Sequence, residues 1–232
     1  MIKQTISQLY ADALAQSQST PPVLEALATG SLDVLIALLD NALLDPQIHA
    51  EVCGILGKLG EKRAASAVMA IFRASPARLV WWEAAKALAL INSKRAVRPL
   101  IASLAAGNNE QRSAAIHALS GLGDPRSIEP LLAILSNPHD DPTVRGHAAE
   151  ALAQFVDRQA DIVPYLIRAL DDSHPEVRFW AAFALGQQGD EQALPALRRL
   201  AETDTATLPG WWSVRREAAD AIAHIKWRDR SG

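Results

Sequence analysis

Small and aliphatic residues come in short bursts separated by polar turns, and the same burst occurs six times along the chain. The clearest copies are LVWWEAAKALALINSKRAVRPLIASL, EQRSAAIHALSGLGDPRSIEPLLAIL, TVRGHAAEALAQFVDRQADIVPYLIRAL and EVRFWAAFALGQQGDEQALPALRRL. A shorter copy is SVRREAADAIAHI and a diverged one is QIHAEVCGILGKLGEKRAASAVMAIF. One residue anchors each: Ile48, Val80, Gln111, Val144, Val177 and Val214. The anchors follow one another at intervals of 32, 31, 33, 33 and 37 residues. A near-constant period of this length marks stacked supersecondary units, none of which buries its apolar face alone.

Within a copy the apolar positions predict two helices. Counted from the anchor as zero, positions 4, 5 and 8 are small or aliphatic, as in Ala84, Ala85 and Leu88, Ala148, Ala149 and Leu152, or Ala181, Ala182 and Leu185. At about 100° per residue these share one helical face with the anchor. The turns at 121–125 and 186–190 combine Gly, suited to a helix C-terminus, with Asp, suited to the next N-cap. The second apolar run then carries a proline in its first turns, at Pro99, Pro130, Pro164 and Pro195, where the early N–H groups have no intrahelical partner to lose. No segment alternates with period two over a strand's length.

Both ends read as caps. Ile2, Ile6, Leu9 and Ala13 mark one stripe of an N-terminal helix, followed by a polar, proline-stopped loop over 16–22. The C-terminal Lys226-Trp-Arg-Asp-Arg230 is too charged to be stacked upon, and stacked repeats need polar terminal faces to stay soluble. The widest interval, 37 residues, holds an enlarged loop, Thr203 to Gly210, before Trp211 and Trp212.

The string Val-Arg-x-x-Ala-Ala-x-Ala-Leu-Gly-x-x-Gly-Asp, held by residues 177–190 and in part by 144–157, 111–124 and 214–222, resembles HEAT-like repeats of the phycobilisome-lyase type. The fold this implies is all-α: an α-solenoid, a right-handed superhelix of about six HEAT-like helix pairs. Residues 31–232 would form one continuous domain behind N-terminal capping helices over 1–30. Proteins with such repeats include chromophore-lyase subunits and plain interaction scaffolds, so the fold leaves the activity open.

Composition narrows the field. With 49% hydrophobic and 21% charged residues the chain is globular, and a formal net charge of -3 lacks the excess of Lys and Arg that grips phosphate backbones. Cys53 is the only cysteine, which excludes an intrachain disulfide and a Cys-based zinc cluster. No apolar run approaches the roughly 20 residues that span a bilayer, and the N-terminus carries no signal-peptide h-region. The expected location is the cytoplasm, with no membrane partner.

Recurring charge is read first as architecture. Arg112, Arg145, Arg178 and Arg215 each follow an anchor, and Asn108, Asn109, Asp140, Asp141, Asp171 and Asp172 cluster just before anchors. The resemblance implies that such residues form a ladder between adjacent repeats. Trp81 occupies the same slot and is assigned to packing, as is Cys53 at position 5. One enzymatic branch of the fold, which the chain resembles locally, is deoxyhypusine hydroxylase, where adjacent His-Glu pairs at positions 2 and 3 bind two irons. The slots here hold Ala50-Glu51, Trp82-Glu83, Ser113-Ala114, Gly146-His147, Phe179-Trp180 and Arg216-Glu217, so the ligand set is missing. His147 and Glu150, three apart, with His117 on a neighbouring repeat, could in principle hold zinc, but such a group is far more often a solvated surface, and no phosphate loop or nucleophile elbow is present. The sequence therefore assigns no catalytic residue, no metal ligand and no cofactor.

The resemblance also implies that the anchor-bearing helices line a concave surface. Positions 2, 3, 6 and 10, opposite the alanine face, should point into it. These slots place Trp82, Glu83, Lys86, His117, His147, Glu150, Phe179, Trp180, Phe183 and Glu217 there as candidate partner-binding residues. Phe179, Trp180 and Phe183 are expected as an exposed aromatic cluster, since such clusters rimmed by polar groups mark binding sites; the competing reading packs them under the Thr203–Gly210 loop. The function expected is a non-catalytic scaffold holding a protein partner on the concave face. One alternative is a bilin-handling lyase-type subunit. Another is nucleic-acid binding, opposed by Glu83, Glu150, Glu217 and Asp220 against only Lys86 and Arg216.

Overall fold

The computed structural model describes residues 31–231, together with Val23 and Ala26; the capping helices expected over 1–30 otherwise lie outside the described residues. Twelve α-helices are described: α1 (Leu32–Asp40), α2 (Pro46–Leu59), α3 (Ala65–Ala74), α4 (Arg78–Ile91), α5 (Val97–Ala106), α6 (Asn109–Leu122), α7 (Ile128–Leu135), α8 (Pro142–Leu152), α9 (Gln159–Ala169), α10 (Pro175–Gln188), α11 (Leu194–Thr203) and α12 (Val214–Ser231). The only strand-like feature among the described residues is an isolated antiparallel bridge, Thr207 with Ser213. The fold is all-α, with helices packed in sequential pairs as in a HEAT-repeat α-solenoid. The even-numbered helices carry the anchors. No described helix is long and apolar enough to cross a membrane.

Each anchor helix before α12 ends in a tight turn and a single 3₁₀ turn that leads into the next helix. Gly60, Asn92 and Gly123 take the left-handed conformation at the turn, and Glu61, Asp124 and Asp190 cap the 3₁₀ turns through their carboxylates. Pro195 lies in the first turn of its helix, but Pro164 does not: α9 begins at Gln159, about a turn early, and Pro164 lies inside it.

Contacts group the chain into two compact units. One ends at Gly107 and includes His117–Leu122; the other comprises Asn108–Ile116 and Gly123 onward. In the first unit, α2 packs along α4 while α1 and α3 cover them from one side. Val52, Cys53 and Leu56 on α2, and Val80, Ala84 and Leu88 on α4, are wholly buried, which is the predicted alanine face. Burial, and secondarily the nearby Glu83 carboxylate, push the Cys53 thiol up to about 12, so it is an inert packing group. In the second unit α8, α10 and α12 pack side by side, with α7 against α8, α9 against α10 and α11 against α12.

The expected ladder is present in the second unit. Arg112 reaches Asp140 (2.7 Å), Arg145 pairs with Asp172, and Arg178 Nε donates to Asp204 (2.6 Å). Each rung ties an anchor helix to the loop that enters the following one, and the loop carboxylate also takes a backbone N–H: Asp141 N to Asp140, His174 N to Asp172, Ala206 N to Asp204. Arg112, with help from the Asp141 N–H, holds the Asp140 carboxyl below the usual range. These largely buried, hydrogen-bonded pairs are far from the exposed ion pairs that contribute little.

The expectation that positions 2 and 3 face solvent is corrected. Ser113, Ala114, Gly146, Phe179, Trp180 and Glu217 are all buried. A helix in a layer has neighbours on both flanks as well as one behind. Position 3 of one anchor helix packs on position 2 of the one before it, as Trp180 does on Gly146, and position 7 packs on position 9, as Ala87 does on Gly57 and Ala221 on Gly186. What remains open is a narrower strip around positions 6 and 10, where Lys86, His117, Gln154 and Gln187 are exposed.

Candidate functional site

The first unit gathers one set of the predicted residues. Trp82 and Glu83 on α4 are half-buried; Lys86 is exposed and donates to Glu83 (2.9 Å). His117 sets its ring edge-on to Trp82, with centroids 5.9 Å apart. Partial desolvation of the ring, and then the Lys86 charge, lower the His117 pKa. The group is a polar surface cluster with one aromatic side.

The second unit gathers the rest around a cleft of about 470 Å³. His147 and Glu150 of α8 form one wall and Glu176 and Trp180 of α10 another, while Leu208 and Trp211 of the loop before α12 close it. The Glu150 side chain is half-buried, and its carboxylate has no hydrogen bond or ion pair to any described residue; burial raises its pKa. Glu176 accepts from the Thr143 hydroxyl through one oxygen only (2.9 Å).

The enlarged loop is built to place Trp211. Asp204 anchors its start on Arg178, and the Thr207–Ser213 bridge draws its two sides together. At its tip the Trp211 N–H donates to Leu208 O (3.0 Å), with Pro209 and then Gly210 between them. Gly210 has φ 78°, so Pro-Gly supplies the residues a type II turn requires at its two central positions.

Trp211 thereby lands on the aromatic group of α10. Its ring meets Trp180 edge-on at 5.2 Å and Phe179 at 5.8 Å, while Trp180 also meets Phe179 at 5.2 Å and Phe183 at 5.6 Å. The aromatic cluster is therefore not the free patch expected of it. Phe179 is 1% and Trp180 7% exposed, and Phe183 is half-buried. They pack under the loop and over Gly146, where an added Cβ would sit 3.0 Å from Trp180 Cδ1. The exposed aromatics of the group are Trp211, at 50%, and Trp212, at 40%.

Glu217 likewise lies inside rather than on the surface. It accepts from Trp212 Nε1 (2.6 Å), and burial raises its pKa despite that bond. Arg216 lies over the Trp212 ring, 5.1 Å from its centroid.

Of the residues lining the cleft, His147, Glu150 and Trp180 were candidates from the sequence, whereas Glu176, Leu208 and Trp211 were not. The signal for the latter two was present in the 37-residue interval and the Pro-Gly-Trp-Trp string, which a repeat-slot reading passes over. Among the described residues no three His, Cys, Asp or Glu side chains group to hold a metal ion.

Helices in sequential pairs joined by a donor–carboxylate ladder define a helical-repeat protein. A profile of HEAT repeats matches residues 70–143 and 128–222, so the chain belongs to the HEAT-repeat family. No curated protein matches the sequence significantly. Among solved structures, an engineered protein superposes with a TM-score of 0.51 and 24% identity, covering 83% of this chain and 95% of that chain. The complex of CpcE and CpcF of phycocyanin lyase from Nostoc sp. PCC7120 gives a TM-score of 0.49 and 21% identity, with 92% of each chain covered. Human deoxyhypusine hydroxylase in complex with glycerol gives 0.40 and 18%, with 97% of each covered. The first of these likenesses speaks to the fold alone, and the other two carry no argument.

Proposed function

We propose that this HEAT-repeat protein is a non-catalytic scaffold that docks a protein partner at the cleft between α8, α10 and the 204–213 loop. The observation that carries the reading is Trp211. A Pro-Gly turn holds a half-exposed indole against the buried Trp180, at the mouth of a cleft. A rigid aromatic with one face packed and one face open is the group that dominates binding energy in protein interfaces. The carboxylates beside it, Glu150 and Glu176, disfavour a phosphate backbone as the occupant.

The test places a photoreactive amino acid at position 211 and, as a control, at the exposed Glu129 of α7. In lysate of the source organism, position 211 should crosslink one discrete protein and position 129 should not. Trp211→Ala should weaken binding of that protein by about 2 kcal/mol, the size of a hot spot. Equal crosslinking from both positions, or unchanged binding by the variant, would remove the cleft from consideration.

A further inference from the structure

We propose that the cleft takes a basic side chain, lysine or arginine, which the docked partner inserts between the Trp180–Trp211 wall and the carboxylates of Glu150 and Glu176. This rests on the docking reading above and names the chemistry that would recognise the partner.

Three independent features point the same way. The first is charge. Two carboxylates line the cleft and no Lys or Arg does. The second is an unmet need. The half-buried Glu150 carboxylate has no ion pair or hydrogen bond among the described residues, and the Glu176 carboxylate uses one oxygen on Thr143. A carboxylate taken partly out of water without a counter-charge is costly, and an arriving cation would relieve that cost. The third is the aromatic wall. Indole faces attract guanidinium and ammonium groups within about 6 Å, and the protein already uses this chemistry one residue away, where Arg216 lies 5.1 Å from the Trp212 centroid. An acidic side chain would meet repulsion in this cleft, and a purely apolar one would bury Glu150 further without compensation.

The experiment uses the full chain and three synthetic nonapeptides with identical Gly-Ser flanks and a central arginine, norleucine or glutamate. Binding is read from the indole N–H resonances of Trp180 and Trp211 in two-dimensional NMR. The arginine peptide should shift both resonances saturably, and the other two should not. Glu150→Gln combined with Glu176→Gln, a nearly isosteric change that spares the fold, should weaken the arginine peptide at least tenfold. Trp211→Ala should weaken it as well, and raised salt should do the same to the unmodified protein. Equal shifts with the norleucine peptide, indifference to the double Gln variant, or silence with the arginine peptide would each overturn the proposal. If the crosslinked partner still depends on Trp211 in that event, the docking reading stands and only the basic occupant is lost. If it does not, both fail.

Discussion

One residue after each anchor the chain places an N–H donor, whatever the side chain. Three arginines give the ladder rungs, Arg215 donates to Glu202 O (2.8 Å), Trp81 Nε1 donates to Ser75 O (2.8 Å), and His49 Nε2 faces Asn41 O at 3.1 Å, where a carbonyl requires it to donate. Trp81 reaches back six residues, as Arg178 does to Asp172 O, so the indole reproduces the backward half of the arginine's work without a charge. Trp81→Phe keeps the ring and removes the donor. The buried Ser75 carbonyl should then cost about 1–3 kcal/mol, measurable by urea unfolding. Glu217 tests burial of charge on the same scale. Its folded pKa lies above its unfolded one, so the stability it allows is full at low pH and falls as the pH rises through the window between them. Glu217→Gln should therefore raise the melting temperature at pH 7 and leave it unchanged below the ordinary carboxylate range. An equal effect at both pH values would assign the change to the Trp212 hydrogen bond instead.

At the level of the helix, flank contacts decide which residues are replaceable. An added Cβ at Gly57 would lie 2.8 Å from the Ala87 Cα, and one at Gly186 would lie 3.2 Å from the Ala221 Cα. Alanine in a helix interior gains about 0.5–1 kcal/mol over glycine, whereas overpacking against an immovable backbone costs about 1–3 kcal/mol. Gly57→Ala should be the more destabilising of the two, and equal melting temperatures would show that α2 and α4 separate freely. Trp180 is the opposite case, a large side chain that fills the space Gly146 leaves. Trp180→Ala should cost about 3–5 kcal/mol of folding stability, whereas Trp211→Ala should change it much less; calorimetry of both variants checks the order. The repeat period, the alanine face and most of the turns were legible in the sequence, because each follows from one helix and its own neighbours in the chain; the arginine ladder was legible only through the family resemblance, and its last carboxylate, Asp204, was not among the residues expected. The exposure of Phe179, Trp180 and Glu217 was not legible. It depends on a second flank, supplied for Trp180 by Gly146 of the preceding anchor helix, for Phe179 and Trp180 by Trp211 about 30 residues downstream, and for Glu217 by Trp212 just before its own helix, which a two-faced picture of an amphipathic helix omits.

At the largest scale, the described residues leave one side of α12 uncovered. On α12 the position-5 residue Ala219 is exposed and the position-8 residue Ile222 half-buried, where the equivalents in earlier anchor helices are sealed; Trp227 is 68% exposed. The other side of α12 covers α10 and α11. Removing residues 211–232 should uncover that apolar surface, lower the melting temperature and cause self-association visible by size-exclusion chromatography. A monomeric truncation of unchanged stability would deny α12 its covering role. The ladder has a consequence of another kind. Its rungs join residues 28, 27 and 26 positions apart, each always pointing toward the C-terminus. A tandem duplication of one whole period would carry a donor and a carboxylate together, leaving every rung matched. In this part of the chain, length can change by copying without any compensating substitution, so the number of repeats is open to genetic drift in a way that the sequence of a single repeat is not.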